Sequence, residues 1–214
     1  MQNVVPARGN DVPVAHRSVD RALATRRTIY EGEVRRLIDA TYEVIEQTGD
    51  VDAPVRAIVA ASGLSNQAFY RHFTSKDELL LAVIDDGRRQ LVATLERRLR
   101  RAQPGVPRVR AWIESILAQA QDPVAAARTR PFAVAGARLS ARFPDQAAES
   151  NALLVGPLAI ALAEAGVTDP RATPLIARIV MSEMHEDLIV RRAPSSADVD
   201  ALVDFILRGL EVDR

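Results

Sequence analysis

Residues 54–77, PVRAIVAASGLSNQAFYRHFTSKD, hold two short helical patterns broken by a glycine, and the rest of the chain must fold around them. Pro54 suits the first helical position, where its missing N–H would have no partner. Val55, Ile58 and Val59 follow at i, i+3, i+4 and give one apolar face. Gly63 ends the pattern, as glycine does where a chain leaves a helix through a left-handed conformation, and Leu64 packs into the turn. Ser65 is the N-cap of a second short helix; with Ala68 at its third position, the reciprocal capping box is absent. Asp52 is the candidate cap for the first, since Ala53 and Pro54 offer no hydroxyl. Phe69 and Phe73, at i and i+4, face inward and leave Asn66, Gln67, Tyr70 and Arg71 on the other side.

Two short helices around a glycine-containing turn make a helix-turn-helix, whose second helix is the one that enters a major groove. The run VRAIVAASGLSNQAFYRHFTSKDELLLAV resembles the DNA-binding segment of the TetR family of bacterial transcriptional regulators. Its marks are the turn at Gly63-Leu64-Ser65, the F-Y-R-H-F end of the second helix and S-K-D-E-L opening the next. They cover the first half of the chain; beyond it the likeness is one of helix pattern. The resemblance implies an all-α fold, in which a three-helix DNA-binding domain is joined by a long helix to a helical ligand-binding and dimerisation domain. The expected division is a mobile arm over residues 1–25, the helix-turn-helix domain over 26–74 and the effector domain over 75–214.

Within that frame, Asn66 and Gln67 are the candidates for base edges, because both amides can pair bidentately with adenine. Arg71 reads guanine or holds phosphate. Tyr70, His72 and Lys76 are placed as backbone contacts, with Arg56 and Ser65 in the same role. Lys76 is the sole lysine of a chain that otherwise uses arginine, and it stands where family members commonly meet a phosphate. Arg26 and Arg27 read as a basic arm beside the DNA, whereas residues up to about 20 read as a solvated tail.

Hydrophobic content of 48% with 26% charged residues is that of an ordinary soluble globular chain, and 214 residues can bury a proper core. Without cysteine there is neither a disulfide framework nor a thiolate metal site. No signal-like apolar stretch opens the chain, and the longest apolar run is too short to span a bilayer, so a cytoplasmic location is expected. Net charge is zero, but only local charge matters at a binding face.

A first long helix is expected from about residue 28 to 48, with Val34, Leu37, Ile38, Thr41, Val44 and Ile45 on one face. Ser75 caps a fourth helix carrying Leu79, Leu80, Val83, Ile84, Leu91, Leu95 and Leu99. Helical patterns follow at about 107–121, 123–142, 145–165, 171–192 and 196–212, separated by proline and glycine. No strand-like alternation interrupts them.

The resemblance assigns this second half to a small-molecule effector and to a homodimer. Trp112, Ile116, Phe132, Phe143, Leu154, Met181 and His185 are candidate pocket residues, each of which also reads as plain core. Arg138 and Arg142, one turn apart, either meet an anionic effector or stand on a solvated face. Ile179, Leu188, Leu202, Phe205, Ile206 and Leu210 are the candidate dimer contacts. The run Glu183-Met184-His185-Glu186-Asp187 invites a metal, but Glu183 and Asp187 share a face that His185 does not, and a solvated face with an interior histidine fits better. No metal, cofactor or enzymatic chemistry is expected, since no phosphate loop, triad or zinc spacing occurs. The sequence therefore points to a DNA-binding repressor released from a near-palindromic duplex operator by an effector. The alternatives are an activator, a ligand-independent regulator, or a helical dimeric protein-interaction module.

Overall fold

The computed structural model describes residues 14–210, which form nine α-helices and no strand. They are α1 (Val14–Thr48), α2 (Val55–Ser62), α3 (Asn66–His72), α4 (Lys76–Arg101), α5 (Val106–Gln121), α6 (Pro123–Arg142), α7 (Pro144–Glu164), α8 (Ala172–Val190) and α9 (Ser196–Gly209). The later boundaries fall within a few residues of those the punctuation predicts.

The first boundary does not. α1 starts at Val14 rather than near Thr28, so residues 14–25, expected in a mobile arm, are helical; residues 1–13 of that arm lie outside the described residues. From Val19 to Ile29 every side chain is exposed, and this is why no buried stripe betrayed the helix. Local bonds support it: the Thr25 and Thr28 hydroxyls donate to the carbonyls of Arg21 and Ala24.

Three apolar clusters organise the fold. Leu37, Ile38, Val44, Ile58, Val59, Phe69 and Phe73 pack with Leu79 and Val83, so the first turns of α4 belong to the N-terminal core. Phe69 is fully buried, a contribution of about 1.5–3 kcal/mol. The larger cluster joins α4, α5, α7, α8 and α9 around Trp112, Ile113, Leu158, Val180 and Val203. Between the two, Ile45, Val51 and Leu80 meet Ala135 and Leu139 of α6, with Phe132 and Phe143 at the edge.

Charge reinforces that middle joint. Asp77, in the first turn of α4 and 7% exposed, receives Arg142 at 2.6 Å and Arg138 at 3.2 Å, both from α6. Arg138 also stands 3.5 Å from Asp52. The two arginines thus neither meet solvent alone nor line a pocket; they tie α6 to the end of α4 that follows the helix-turn-helix.

Candidate nucleic-acid interface

α2 begins one residue later than expected, with Pro54 as its N-cap and no side-chain capping bond. Asp52 does not cap it: Lys76 Nζ lies 3.1 Å from the Asp52 carboxylate, and this ion pair draws Asp52 away from the helix end. α2 ends at Gly63, whose φ of 65° and ψ of 21° are the left-handed values that favour glycine. Ser62 sharpens the turn from inside: its buried hydroxyl donates to the Val59 carbonyl at 2.9 Å and accepts from the Leu64 N–H at 3.3 Å.

α3 is held from both ends. Ser65 Oγ accepts the Ala68 N–H at 3.1 Å, which leaves its own O–H free to donate outward. Phe69 and Phe73 anchor the inner face at 0% and 6% exposure. Asn66, Gln67, Tyr70 and Arg71 are exposed together on the opposite side, and Arg56 is exposed on α2. Tyr70, 62% exposed, stands edge-on to Phe69, a geometry that holds a large aromatic ring in solvent.

His72 departs from its expected role as a backbone contact. Its side chain is 7% exposed, with Nε2 at 2.6 Å from Glu33 Oε2 and its ring edge-on to Tyr30 at 5.3 Å. Three residues after Phe69 on a two-turn helix, it turns back onto α1 with that anchor. Arg71 Nη2 reaches the same Glu33 oxygen at 2.6 Å, while its guanidinium also covers the Tyr30 ring. The hydrogen bonds from His72 and then Arg71 hold the Glu33 carboxyl below its ordinary range.

Tyr30 and Glu33 carry no motif signal, yet they orient the end of α3. Tyr30 also accepts from Arg26, at 2.8 Å from Nη2 and 3.1 Å from Nε. Arg26 is thereby brought beside α3, and Arg27 pairs outward with Glu31 at 2.8 Å. A tyrosine 24 positions before the helix-turn-helix pattern that opens at Pro54 would have been found only by pairing α1 with α3 in space.

The seven candidate pocket residues and Arg138 are divided among different parts of the fold. Trp112 is buried, donating its Nε1–H to the Leu154 carbonyl at 2.9 Å, and Ile116 and Leu154 fill the same core. Phe132 instead stacks edge-on with Tyr42 of α1, and Phe143 lies under the Arg142 guanidinium. Arg138 is in the joint described above. Met181 packs on the rim of the C-terminal core, and His185 is half-buried on α8. A depression of about 560 Å³ runs along α1 instead, lined by Leu23, Arg26, Tyr30 and Val34 among others.

Two predicted dimer contacts are likewise internal: Leu188 and Ile206 are 0% and 5% exposed in the protomer's own core, because α8 and α9 turn those faces to α5. Ile179, Leu202 and Leu210 are partly buried against that core, whereas Phe205 is 68% exposed, with Leu175 and Ile189 also open. Asp187 is not on a solvated face: it is fully buried, and Arg192 folds back to bond it at 2.5 Å and Glu183 at 2.6 Å. Among the described residues no cluster of three metal-ligating side chains occurs, and no helix is long and apolar enough to cross a membrane.

Residues 37–83 match the family model for bacterial regulatory proteins, tetR family. No curated protein matches the chain. Among solved structures, GusR of Salmonella enterica is 20% identical with a TM-score of 0.61, over 84% of this chain and 95% of that one. The multidrug binding protein EbrR, complexed with imidazole, is 18% identical at a TM-score of 0.63, over 85% and 96%. FadR of Bacillus subtilis, in complex with stearoyl-CoA, is 16% identical at 0.55, over 84% and 99%. At these identities the likeness establishes the fold.

Proposed function

From an N-terminal domain that belongs to the tetR family of bacterial regulatory proteins, we propose that this chain is a sequence-specific DNA-binding regulator, a repressor released by a small-molecule effector. It acts as a homodimer that sets two copies of α3 in successive major grooves of a near-palindromic operator. The observation that carries this reading is the α3 surface: two amides, Asn66 and Gln67, stand exposed at the start of a helix fixed by its Ser65 cap and two buried phenylalanines.

Asn66 and Gln67 are assigned to base edges. Arg26, Arg27, Arg56, Ser65, Tyr70, Arg71 and Lys76 hold the backbone and fix register without carrying sequence information. His72 is not carried into the interface, since Glu33 and Tyr30 enclose it; it positions α3. The exposed Leu175, Ile189 and Phe205 on α8 and α9 support a dimer face there. The effector acts by binding more tightly to the state in which the two recognition helices are wrongly spaced.

Selection of sites from random duplex DNA, with winners retested at several salt concentrations, tests the proposal. A palindromic motif is expected. Gln67→Ala relaxes specificity at one base position by about 1–3 kcal/mol, whereas Lys76→Ala weakens all sequences alike and flattens the salt dependence. Weak, sequence-indifferent binding overturns the reading, and uniform loss in both variants overturns the division of roles.

A further inference from the structure

Three helices of the C-terminal domain each carry a polar residue within a core-facing apolar stripe. α4 carries Ile84, Arg88, Leu91 and Leu95; α7 carries Ala147, Asn151, Leu154 and Leu158; α8 carries Ala177, Met181, His185 and Leu188. On α4 the interruption falls where the stripe passes from the middle joint, which holds Ile84, to the C-terminal core, which holds Leu91 and Leu95.

The three positions converge. Glu96, Leu99 and Arg100 share a depression with Pro157, Ile160 and Ala161, and the Gly105 N–H reaches Glu164 at 3.3 Å, so α4 and α7 run side by side in one direction. Stepping back about nine residues on each, at ~1.5 Å per residue, brings Asn151 level with Arg88 and Leu91. His185 faces them from α8: burial first, and then the Arg88 charge, lowers its pKa.

The fold gives neither Arg88 nor His185 a side-chain hydrogen bond among the described residues, and it leaves the Asn151 oxygen without a partner. Arg88 is half-buried and, among the described residues, joins no ion pair or side-chain hydrogen bond; the nearby Asp85 is taken by Arg89 at 2.7 Å. Burial accordingly lowers the Arg88 pKa. Asn151 Oδ1 and the adjoining Ser150 Oγ are buried without partners. An unpartnered buried polar group costs roughly 1–3 kcal/mol. Two such oxygens on α7, level with a half-buried cation on α4 that has no partner among the described residues, leave hydrogen bonding that a group arriving from outside would complete.

We propose that Arg88, Asn151 and His185 form the anchoring point for the carboxylate of a small, otherwise apolar effector. Arg88 supplies the one charge and a two-pronged donor face matched to a carboxylate. A turn of the Asn151 amide plane presents its NH2 where the unpartnered oxygen stands. The neutral His185 ring offers one further N–H. A single cation fits a monoanion, and the flanking Leu91, Leu95 and Leu154 fit an apolar body. The anchor stands on α4, the helix whose first turns lie in the DNA-binding core. Contraction of Arg88 toward α7 and α8 therefore pulls on that domain.

This rests on the effector-binding reading above, but its test involves no DNA, so the two fail separately. Linear carboxylates from butanoate to hexadecanoate, each against its methyl ester, are titrated into the full chain. Thermal unfolding and the fluorescence of Trp112, the sole tryptophan, are followed. At least one acid should stabilise the protein where its ester does not, and Arg88→Met should weaken that acid at least about tenfold. Without ligand, Arg88→Met should melt at or above the wild type, because a partnerless half-buried charge has been removed. The proposal is overturned if ligand-free Arg88→Met melts lower, if acid and ester act alike through the series, or if the acids act equally on both proteins.

Discussion

The two halves of this molecule differ in how completely they satisfy their buried polar groups. In the N-terminal domain each finds a partner within the chain. His72 meets Glu33, the Thr41 hydroxyl donates to Leu37 O at 2.7 Å, the Ser62 hydroxyl serves the turn, and Asp77 is gripped by two arginines. In the C-terminal domain Arg88 is unpaired and the side-chain oxygens of Ser150 and Asn151 have no partner, although Trp112 beside them is satisfied. On the proposed function the difference has a reason: a region that presents a fixed surface to a rigid duplex must be complete before it binds. A region that senses a small molecule can leave part of its hydrogen bonding for that molecule to finish.

The contrast can be broken at its seam first. Asp77→Asn removes the carboxylate that Arg138 and Arg142 share and a charge at the start of α4. With both guanidiniums half in solvent, the expected loss is about 1–2 kcal/mol, read as a lower urea midpoint. No loss would mean that the apolar joint alone holds the two halves. A matched pair of substitutions then sharpens the contrast by sign. Thr41→Val removes a satisfied hydroxyl and should cost about 1 kcal/mol, whereas Asn151→Leu removes an unsatisfied amide and should stabilise by up to about 1 kcal/mol. Equal signs would dissolve the distinction.

The smallest effect is set by pH. Glu33 titrates below the ordinary carboxylate range because His72 and Arg71 hydrogen-bond its ionised form. A depressed folded-state value adds stability that is complete above the unfolded pKa, about 4.3, and is lost as pH falls through the folded one. The gap in urea midpoint between wild type and Glu33→Gln should therefore be open at neutral pH and close below about pH 4. A gap that persists in acid would show that Glu33 acts through packing rather than charge.

Local chemistry was legible in the sequence wherever one residue decides it. Gly63, the Ser65 and Ser75 caps and the inward Phe69 and Phe73 are read from spacing alone, as are the proline-marked boundaries from α5 to α9. Periodicity names the buried face of a helix but not what buries it. Leu188 and Ile206 accordingly looked equally suited to a partner and to their own core. Pairings across the fold were invisible for the same reason: Arg71 reaches Glu33 over 38 positions, and Arg142 reaches Asp77 over 65. The beginning of α1 was missed because a helix exposed on every side has no apolar period to show.

In the proposed regulator, Lys76 and Arg71 meet DNA already holding carboxylates of their own chain, Asp52 and Glu33. A phosphate must displace those residues rather than fill a vacancy, so charge attraction is blunted for an arbitrary stretch of duplex. Only where base contacts add their share does the exchange become favourable. The consequence is one of traffic: such a protein spends little time parked on the vast excess of wrong sequence, and gives up some speed of arrival for a shorter list of stops.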